Sequence, residues 1–126
     1  MEIFTSYYNK AKALSPDRWE FVQISNSKPS WWEYPTIKLD ALVPPWHIVS
    51  AYKYHGMSWA EYTEQYMYHI QNCEAEDAIG TIEKLAEKKN VVLLCHESPD
   101  KECHRHLLSF YMREKLGIDV KELILK

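Results

Sequence analysis

Three signals are missing from this 126-residue sequence, and each absence argues against a class of protein. No apolar run approaches the ~20 residues that a helix needs to span a bilayer. The first ten residues, MEIFTSYYNK, lack the basic-then-apolar order of a signal peptide. A formal net charge of −3 gives no overall attraction to nucleic acid, although a local basic site is compatible with it. We therefore expect no membrane contact and find no strong nucleic-acid signal.

Cysteine is also scarce. The chain has three, and an odd number does not suit a disulfide framework. We expect a cytoplasmic protein with reduced thiols. Internal repeats, low-complexity tracts and interdomain linkers are absent too, and a chain of this length buries enough surface for one core. Residues 1–126 are thus predicted to form a single domain.

Short β-rich runs alternate with helical patterns along the chain. Residues 2–5 and 21–25 are two such runs, and residues 91–95 form a third. The third is continuously apolar, which suits a central parallel strand covered on both faces. Strands that alternate with helices imply parallel pairing with right-handed crossovers. We predict an α/β fold in which a small, mostly parallel sheet is flanked by helices in a Rossmann-like three-layer sandwich.

Three longer helices are marked by apolar periodicity. Ser58 and Glu61 match a capping box at the start of the first, because the serine and glutamate side chains can each bind an unpaired backbone N–H. The second stripe covers residues 75–86. The third has apolar positions from 107 to 116 with Gly117 as its C′ residue, and its start is either at Ser98-Pro99 or near Glu102. The other predicted elements are a short helix or turn at 11–14 and an edge strand at 120–125.

Residues 26–57 fit this alternation poorly, because they hold many aromatic residues and four of the six prolines. A structureless loop of that length is improbable in a compact domain. Pro45 and Gly56 predict a short helix over 46–55, and the rest is interpreted as a lid over the sheet's edge. Its aromatic rings suit stacking on a base, but core packing is their simpler role.

The reactive side chains are concentrated in residues 91–113. The apolar run ends in Cys95-His96-Glu97, and Cys103-His104-Arg105 opens the last helical pattern. Ligands of open α/β sheets bind outside the carboxyl ends of the strands, so we expect these strand ends and this helix start to share one rim. The rim residues predicted from the other strands are Thr5, Ser6, Tyr7 and Ser25.

The chemistry of this rim favours an anion. A helix start offers free N–H groups and partial positive charge, and Arg105 adds a planar, permanently charged group. The same field raises the thiolate fraction of a nearby cysteine. Cys95, Cys103 and His104 are the candidate catalytic residues, with either thiol as nucleophile and the imidazole as base or orienter. The candidate ligand-binding residues are Arg105, Glu97, Thr5, Ser6, Tyr7 and Ser25. Simpler roles stay open: Cys95 as a core residue, and Arg105 in a structural ion pair.

Three more specific chemistries fit the spacing less well. A cysteine-phosphatase loop needs an arginine six residues after the cysteine, where Lys101 stands. Cys95, His96, Cys103 and His104 are acceptable zinc ligands, but neither Cys-His pair has the usual gap of two to four residues. Zinc is also disfavoured because Cys95 and His96 are adjacent on a strand and point to opposite faces. A Cys95–Cys103 redox pair lacks CxxC spacing. We therefore predict no metal ligands and no cofactor.

At these residues the chain resembles the domain of unknown function 488 (DUF488) family, and in particular a short subgroup of it. The resemblance rests on Leu94-Cys95, Glu97 and Cys103-His104-Arg105, and on the segments FTSYY at 4–8, IS at 24–25 and LVPPW at 42–46. His96 departs from the residues expected at its position. The resemblance covers essentially the whole chain. It implies an α/β domain with the cysteines and the Cys-His-Arg motif at the site, and it implies no particular reaction.

The resulting hypothesis is a thiol-dependent enzyme that acts on an anionic or nucleotide-like small molecule. Two alternatives remain open. One is a non-catalytic module that binds a nucleotide or another phosphorylated ligand, and the other is a structural or interaction domain.

Overall fold

The computed structural model describes residues 1–72, 75–96 and 103–123 of the chain. The strands are β1 (Ile3–Tyr7), β2 (Trp19–Gln23), β3 (Ile37–Lys38), β4 (Asn90–Cys95) and β5 (Val120–Glu122). The helices are α1 (Tyr8–Ala11), α2 (Trp46–Tyr54), α3 (Trp59–Asn72), α4 (Ala75–Ala86) and α5 (His104–Leu116), and a 3₁₀ turn spans Asp40–Leu42.

The five strands form one parallel sheet in the order β3-β2-β4-β1-β5. The apolar strand β4 is central, as predicted, and pairs with β1 on one side and with β2 on the other. Helices lie between β1 and β2, between β3 and β4, and between β4 and β5, and the α/β prediction is confirmed. Because all strands run the same way, the ends of β1, β2 and β4 meet at one edge of the sheet.

Strand alternation divides the core into two layers. Val91 and Leu93 of β4 face α2, α3, α4 and α5, where the larger apolar cluster lies. Val92 and Leu94 face the opposite side, where they pack with α1 and with Trp32. Each face of the sheet is therefore covered, which explains why β4 is apolar along its whole length.

Local sequence signals mark the helix ends correctly. Ser58 Oγ accepts a hydrogen bond from the backbone N–H of Glu61 at 3.1 Å, which is the serine half of the predicted capping box. Gly117 follows α5 with φ +67°, and Gly56 follows α2 with φ +75°. Both glycines occupy the left-handed region that side chains with a Cβ disfavour, so both predicted helix stops are confirmed.

The remaining differences are at short elements. α1 begins directly after β1, three residues earlier than the predicted 11–14. Residues 26–57 hold the predicted short helix as α2, but they also supply edge strand β3, which the sequence analysis missed. The predicted edge strand 120–125 is β5 in its first three residues, and the end of that range lies outside the described residues.

In the part of the chain that the structure describes, none of the helices combines the length and the apolar character required to cross a bilayer.

Candidate functional site

A cavity of about 100 Å³ opens where the end of β4 meets the start of α5. The lining residues from the predicted site are Ser25, Cys95, Cys103 and His104. Residues that the sequence analysis had not assigned to the site line the rest of the wall, among them Asn26, Ser27, Lys53, Trp59, Tyr62 and His96. The cavity thus lies at the sheet edge where α/β proteins bind ligands.

Cys95 is the last residue of β4 and is 1% exposed. It follows Val91 and Leu93 in the alternation and so points to the α5 side of the sheet. Its Sγ accepts a hydrogen bond of 2.9 Å from Nη1 of Arg105. When the cysteine is reduced, a guanidinium at this distance favours the thiolate form of the sulfur.

Cys103 is the N-cap residue of α5, with extended backbone angles, and is 3% exposed. The structure joins its Sγ to the Sγ of Cys95 as a disulfide, with the two Cα atoms 7.8 Å apart. The pairing corrects the expectation of reduced thiols, because the fold brings the two cysteines together although they lack CxxC spacing. Disulfides usually join Cα atoms 4.4–6.8 Å apart. The two sulfurs therefore meet at the ends of two side chains whose backbones are more widely spaced than in an ordinary disulfide.

The orientation of the His104 ring is set by a backbone carbonyl. Nε2 lies 2.5 Å from the carbonyl oxygen of Ile24. Because a carbonyl oxygen can only accept, Nε2 carries the proton, and in the neutral ring Nδ1 has the lone pair. Nδ1 lies 3.8 Å from Cys103 Sγ. Tyr66 packs edge-on against the imidazole, with the ring centroids 5.4 Å apart.

Arg105 contacts Cys95 through the hydrogen bond from Nη1. Its side chain is completely buried, with Nε 3.1 Å and Nη2 3.0 Å from the two carboxylate oxygens of Glu122. Thr5 Oγ1 donates to the same carboxylate at 2.7 Å, and Tyr7 places its ring 5.8 Å from the guanidinium carbon. Among the described residues that line the cavity, Arg105, Thr5 and Tyr7 do not appear. The structure thus brings these three predicted residues together around Glu122, which the sequence analysis had not singled out.

Ser25 lies at the cavity with its hydroxyl 2.9 Å from the Tyr8 hydroxyl and 2.7 Å from the Ser27 carbonyl oxygen. Burial raises the pKa of Tyr8 to about 12, although the hydrogen bond to Ser25 lowers it. His96 points to the α1 side of the sheet, opposite to Cys95, as the strand alternation predicts, and its ring packs near that of Tyr8. Its Nε2 donates a hydrogen bond to the carbonyl of Ser27 at 2.8 Å.

Ser6 is another predicted ligand residue that is absent from the described lining of the cavity. Ser6 is fully buried in β1, and its hydroxyl has no hydrogen-bond partner among the residues that the structure describes. Glu97 lies outside the described residues, as does Lys101.

Aromatic rings divide between the core and the cavity. Trp32 and Tyr34 pack against Phe21 in the smaller core layer, as the simpler interpretation predicted. Trp59 and Tyr62 of α3 stack on each other at 4.9 Å between centroids and line the cavity. The helical spacing of Trp59 and Tyr62 predicts that both lie on the apolar face of α3. That this face lies beside the two cysteines is visible only in the tertiary structure.

A comparison with protein-family models finds a match. The family described as DUF488-N3a, the active DUF488-N3 subclade, matches residues 23–116. Searches of curated proteins and of solved structures each found no match. The matched range covers well over half of the chain and includes Cys95 and the Cys103-His104-Arg105 motif. The protein therefore belongs to the DUF488 family, in the subclade DUF488-N3a.

Proposed function

We propose that the protein is a thiol-dependent enzyme that acts on a small anionic molecule or on the reactive end of a nucleotide. The observation that carries this proposal is the placement of Cys95, whose sulfur borders the cavity and accepts a hydrogen bond from the buried guanidinium of Arg105. Reactive cysteines occur in such locally electropositive surroundings, whereas structural buried cysteines do not need them.

Arg105 acts in this proposal as a positioning residue. Its two remaining nitrogens bind Glu122, which fixes the direction of the third toward Cys95. The guanidinium cannot lose its charge at physiological pH, so it favours the thiolate continuously. This role differs from the substrate contact that the sequence suggests for Arg105.

Cys103 has a separate partner. The lone pair of His104 Nδ1 faces its sulfur, so the imidazole can accept the thiol proton. The site thus offers two sulfurs in contact, one beside a cation and one beside a base. We assign the first attack to Cys95, because a guanidinium keeps its charge throughout the reaction while the imidazole has to gain a proton.

The size of the cavity limits the substrate. A volume of about 100 Å³ is small for a ligand site, since sites for drug-sized molecules have volumes of about 300–1,000 Å³. A phosphate-sized group fits, while a complete nucleotide would have to leave most of its atoms over the rim. Lys53 is exposed on the cavity wall and supplies positive charge, and Trp59 supplies an apolar ring surface. These groups support an anionic substrate with a planar part.

The family comparison supports catalysis in one respect, since the matching subclade is described as active. Reduced thiols are required for the proposed chemistry, so we also propose a cytoplasmic location.

A ligand screen followed by turnover assays tests the proposal. Phosphorylated metabolites and nucleotides are screened by thermal shift on wild type, Cys95→Ser and Cys73→Ser. We expect at least one compound to stabilise all three proteins and to be consumed by wild type and Cys73→Ser alone. Consumption by Cys95→Ser at the wild-type rate would contradict the role of this thiol. If a compound binds but none of the three proteins consumes it, the result would instead support the alternative, a non-catalytic ligand-binding module.

A further inference from the structure

A second property of the site emerges from the side chains that surround its two sulfurs. The ligand atoms of Cys95, Cys103 and His104 all lie within 4.8 Å of one another, and all three residues are buried. In the part of the chain covered by the description, this is the only group of three such residues that could hold a metal ion. The zinc site disfavoured from the sequence comprised Cys95, His96, Cys103 and His104. The group that the structure brings together leaves out His96, whose ring packs on Tyr8.

We propose that the reduced protein binds one Zn²⁺ ion through Cys95, Cys103 and His104. This inference goes beyond the proposed function, because it concerns a metal-bound state in which neither thiolate is available as a nucleophile. Two thiolates and an imidazole are a ligand set that suits zinc. A Cys₂His set with a fourth, open position is known among catalytic zinc sites.

The spacing of the two cysteines fits a shared ion. Tetrahedral coordination with Zn–S bonds of about 2.3 Å places two sulfurs about 3.7 Å apart. The Cα separation of 7.8 Å exceeds the usual span of a disulfide, so small side-chain rotations can bring the sulfurs to that distance without moving the backbones together.

The histidine is held in the orientation that a ligand needs. Metal-binding histidines almost always donate their second ring N–H to a carboxylate, a backbone carbonyl or water. His104 donates from Nε2 to the Ile24 carbonyl, which leaves the Nδ1 lone pair toward the sulfurs. Cys95 also has a partner of this kind, because the hydrogen bond from Arg105 to its sulfur stabilises a thiolate ligand.

The fourth coordination position faces the cavity. All three ligand residues line it, so a water molecule or a small anion can complete the tetrahedron from that side. Binding releases to solvent any proton that the two ligand sulfurs still carry, because the metal binds the thiolate. The charges of Zn²⁺ and the two thiolates then cancel, which removes the cost of burying an isolated dication.

The test uses the full chain, reduced and freed of metal, and titrated with Co²⁺ as a spectroscopic substitute. We expect one Co²⁺ per chain, with a sulfur-to-cobalt charge-transfer band and the intense visible bands of tetrahedral cobalt, and with loss of both on addition of Zn²⁺. Weak octahedral bands without charge transfer would overturn the proposal.

Variants then identify the ligands. Cys95→Ser, Cys103→Ser and His104→Gln are each expected to lose more than about a hundredfold in zinc affinity, since loss of outer-shell partners alone costs about 10–100-fold. Cys73→Ser and His106→Gln are the matched controls and should bind as wild type does. Equal affinity in all five variants would overturn the assignment. If a variant fails to fold, protection of Cys95 and Cys103 from alkylation by Zn²⁺ in the wild type replaces it, and absence of protection would overturn the proposal.

Failure here is separable from failure of the proposed function. Thiol catalysis is measured on metal-free protein, where alkylation and turnover do not depend on whether zinc binds.

Discussion

Arg105 and Glu122 form a two-pronged ion pair, with nitrogen–oxygen distances of 3.0 and 3.1 Å, between the first turn of α5 and edge strand β5. The arginine is completely buried, while the glutamate keeps 23% of its side-chain surface exposed. The pair leaves one guanidinium nitrogen for Cys95. A structural ion pair is therefore also the device that puts a fixed positive charge beside a cysteine at the cavity.

Removing the arginine should destabilise the fold. In Arg105→Gln the carboxylate of Glu122 loses its partner, and breaking a buried pair costs about 3–5 kcal/mol. Because Glu122 is partly exposed, we expect a loss of about 2–3 kcal/mol in the free energy of unfolding, measured by urea denaturation.

Arg113→Gln is the matched control on the same helix. Arg113 is exposed and donates to Ser109 and to the Val120 carbonyl, so its loss should cost no more than about 1 kcal/mol. Equal losses in the two variants would contradict the special role of the Arg105 pair.

Tyr66 packs against His104, which lines the cavity. Its hydroxyl donates to the Leu42 carbonyl at 2.7 Å, and its ring packs on His104. Tyr66→Phe leaves that buried carbonyl without this donor. We expect the free energy of unfolding, measured by thermal or urea denaturation, to fall by about 1–2 kcal/mol. Tyr68→Phe, on the exposed side of α3, should leave stability unchanged. Similar effects of both substitutions would be evidence against this contact.

Tyr8 predicts a dependence of stability on high pH. Its pKa is raised to about 12 in the folded protein by burial, against 10 for the unperturbed group. A group with a raised pKa contributes stability that is fully present below its unfolded pKa and is lost as pH rises through the folded value. Wild type should therefore lose stability relative to Tyr8→Phe between pH 10 and about 12. Parallel stability curves for the two proteins across that range would refute the prediction.

Lys53 tests the anionic character of the substrate. It is exposed at the cavity, and Lys53→Ala should weaken binding of an anionic hit about threefold to tenfold, as expected for one charge-assisted contact. Lys84→Ala, on the exposed face of α4, is the control and should bind normally. Isothermal titration at two salt concentrations provides the measurement. An affinity that Lys53→Ala does not change would argue for a neutral ligand.

The sequence predicted those features of the fold that depend on local patterns. The continuous apolar run of β4, the serine cap at Ser58 and the glycines that end α2 and α5 each have a physical reason visible in a few neighbouring residues. Strand β3 has no such signal, because both of its residues are exposed and the strand forms by pairing with β2.

The sequence predicts which residues of the candidate site lie close together, but it does not predict the contacts that orient them. Cys95, Cys103 and His104 lie close together as the strand–loop–helix pattern predicts. The partners of Arg105 could not be predicted, because they depend on β5 lying beside β1, which brings Glu122 and Thr5 together across 117 residues of chain. The histidine's orientation likewise depends on a carbonyl of a distant segment.

The rate at which iodoacetamide alkylates Cys95 tests the central claim most directly. The reduced, metal-free protein is labelled at neutral pH, and peptide mass spectrometry follows Cys95 with Cys73 as the internal standard. The matched variant is Arg105→Gln/Glu122→Gln, which replaces the ion pair by two amides of similar shape and removes the positive charge. We predict that the labelling rate of Cys95 relative to Cys73 falls about tenfold in this variant and is unchanged in Arg113→Gln. The same relative rate in all three proteins, or a wild-type Cys95 that does not label at all, would contradict the account.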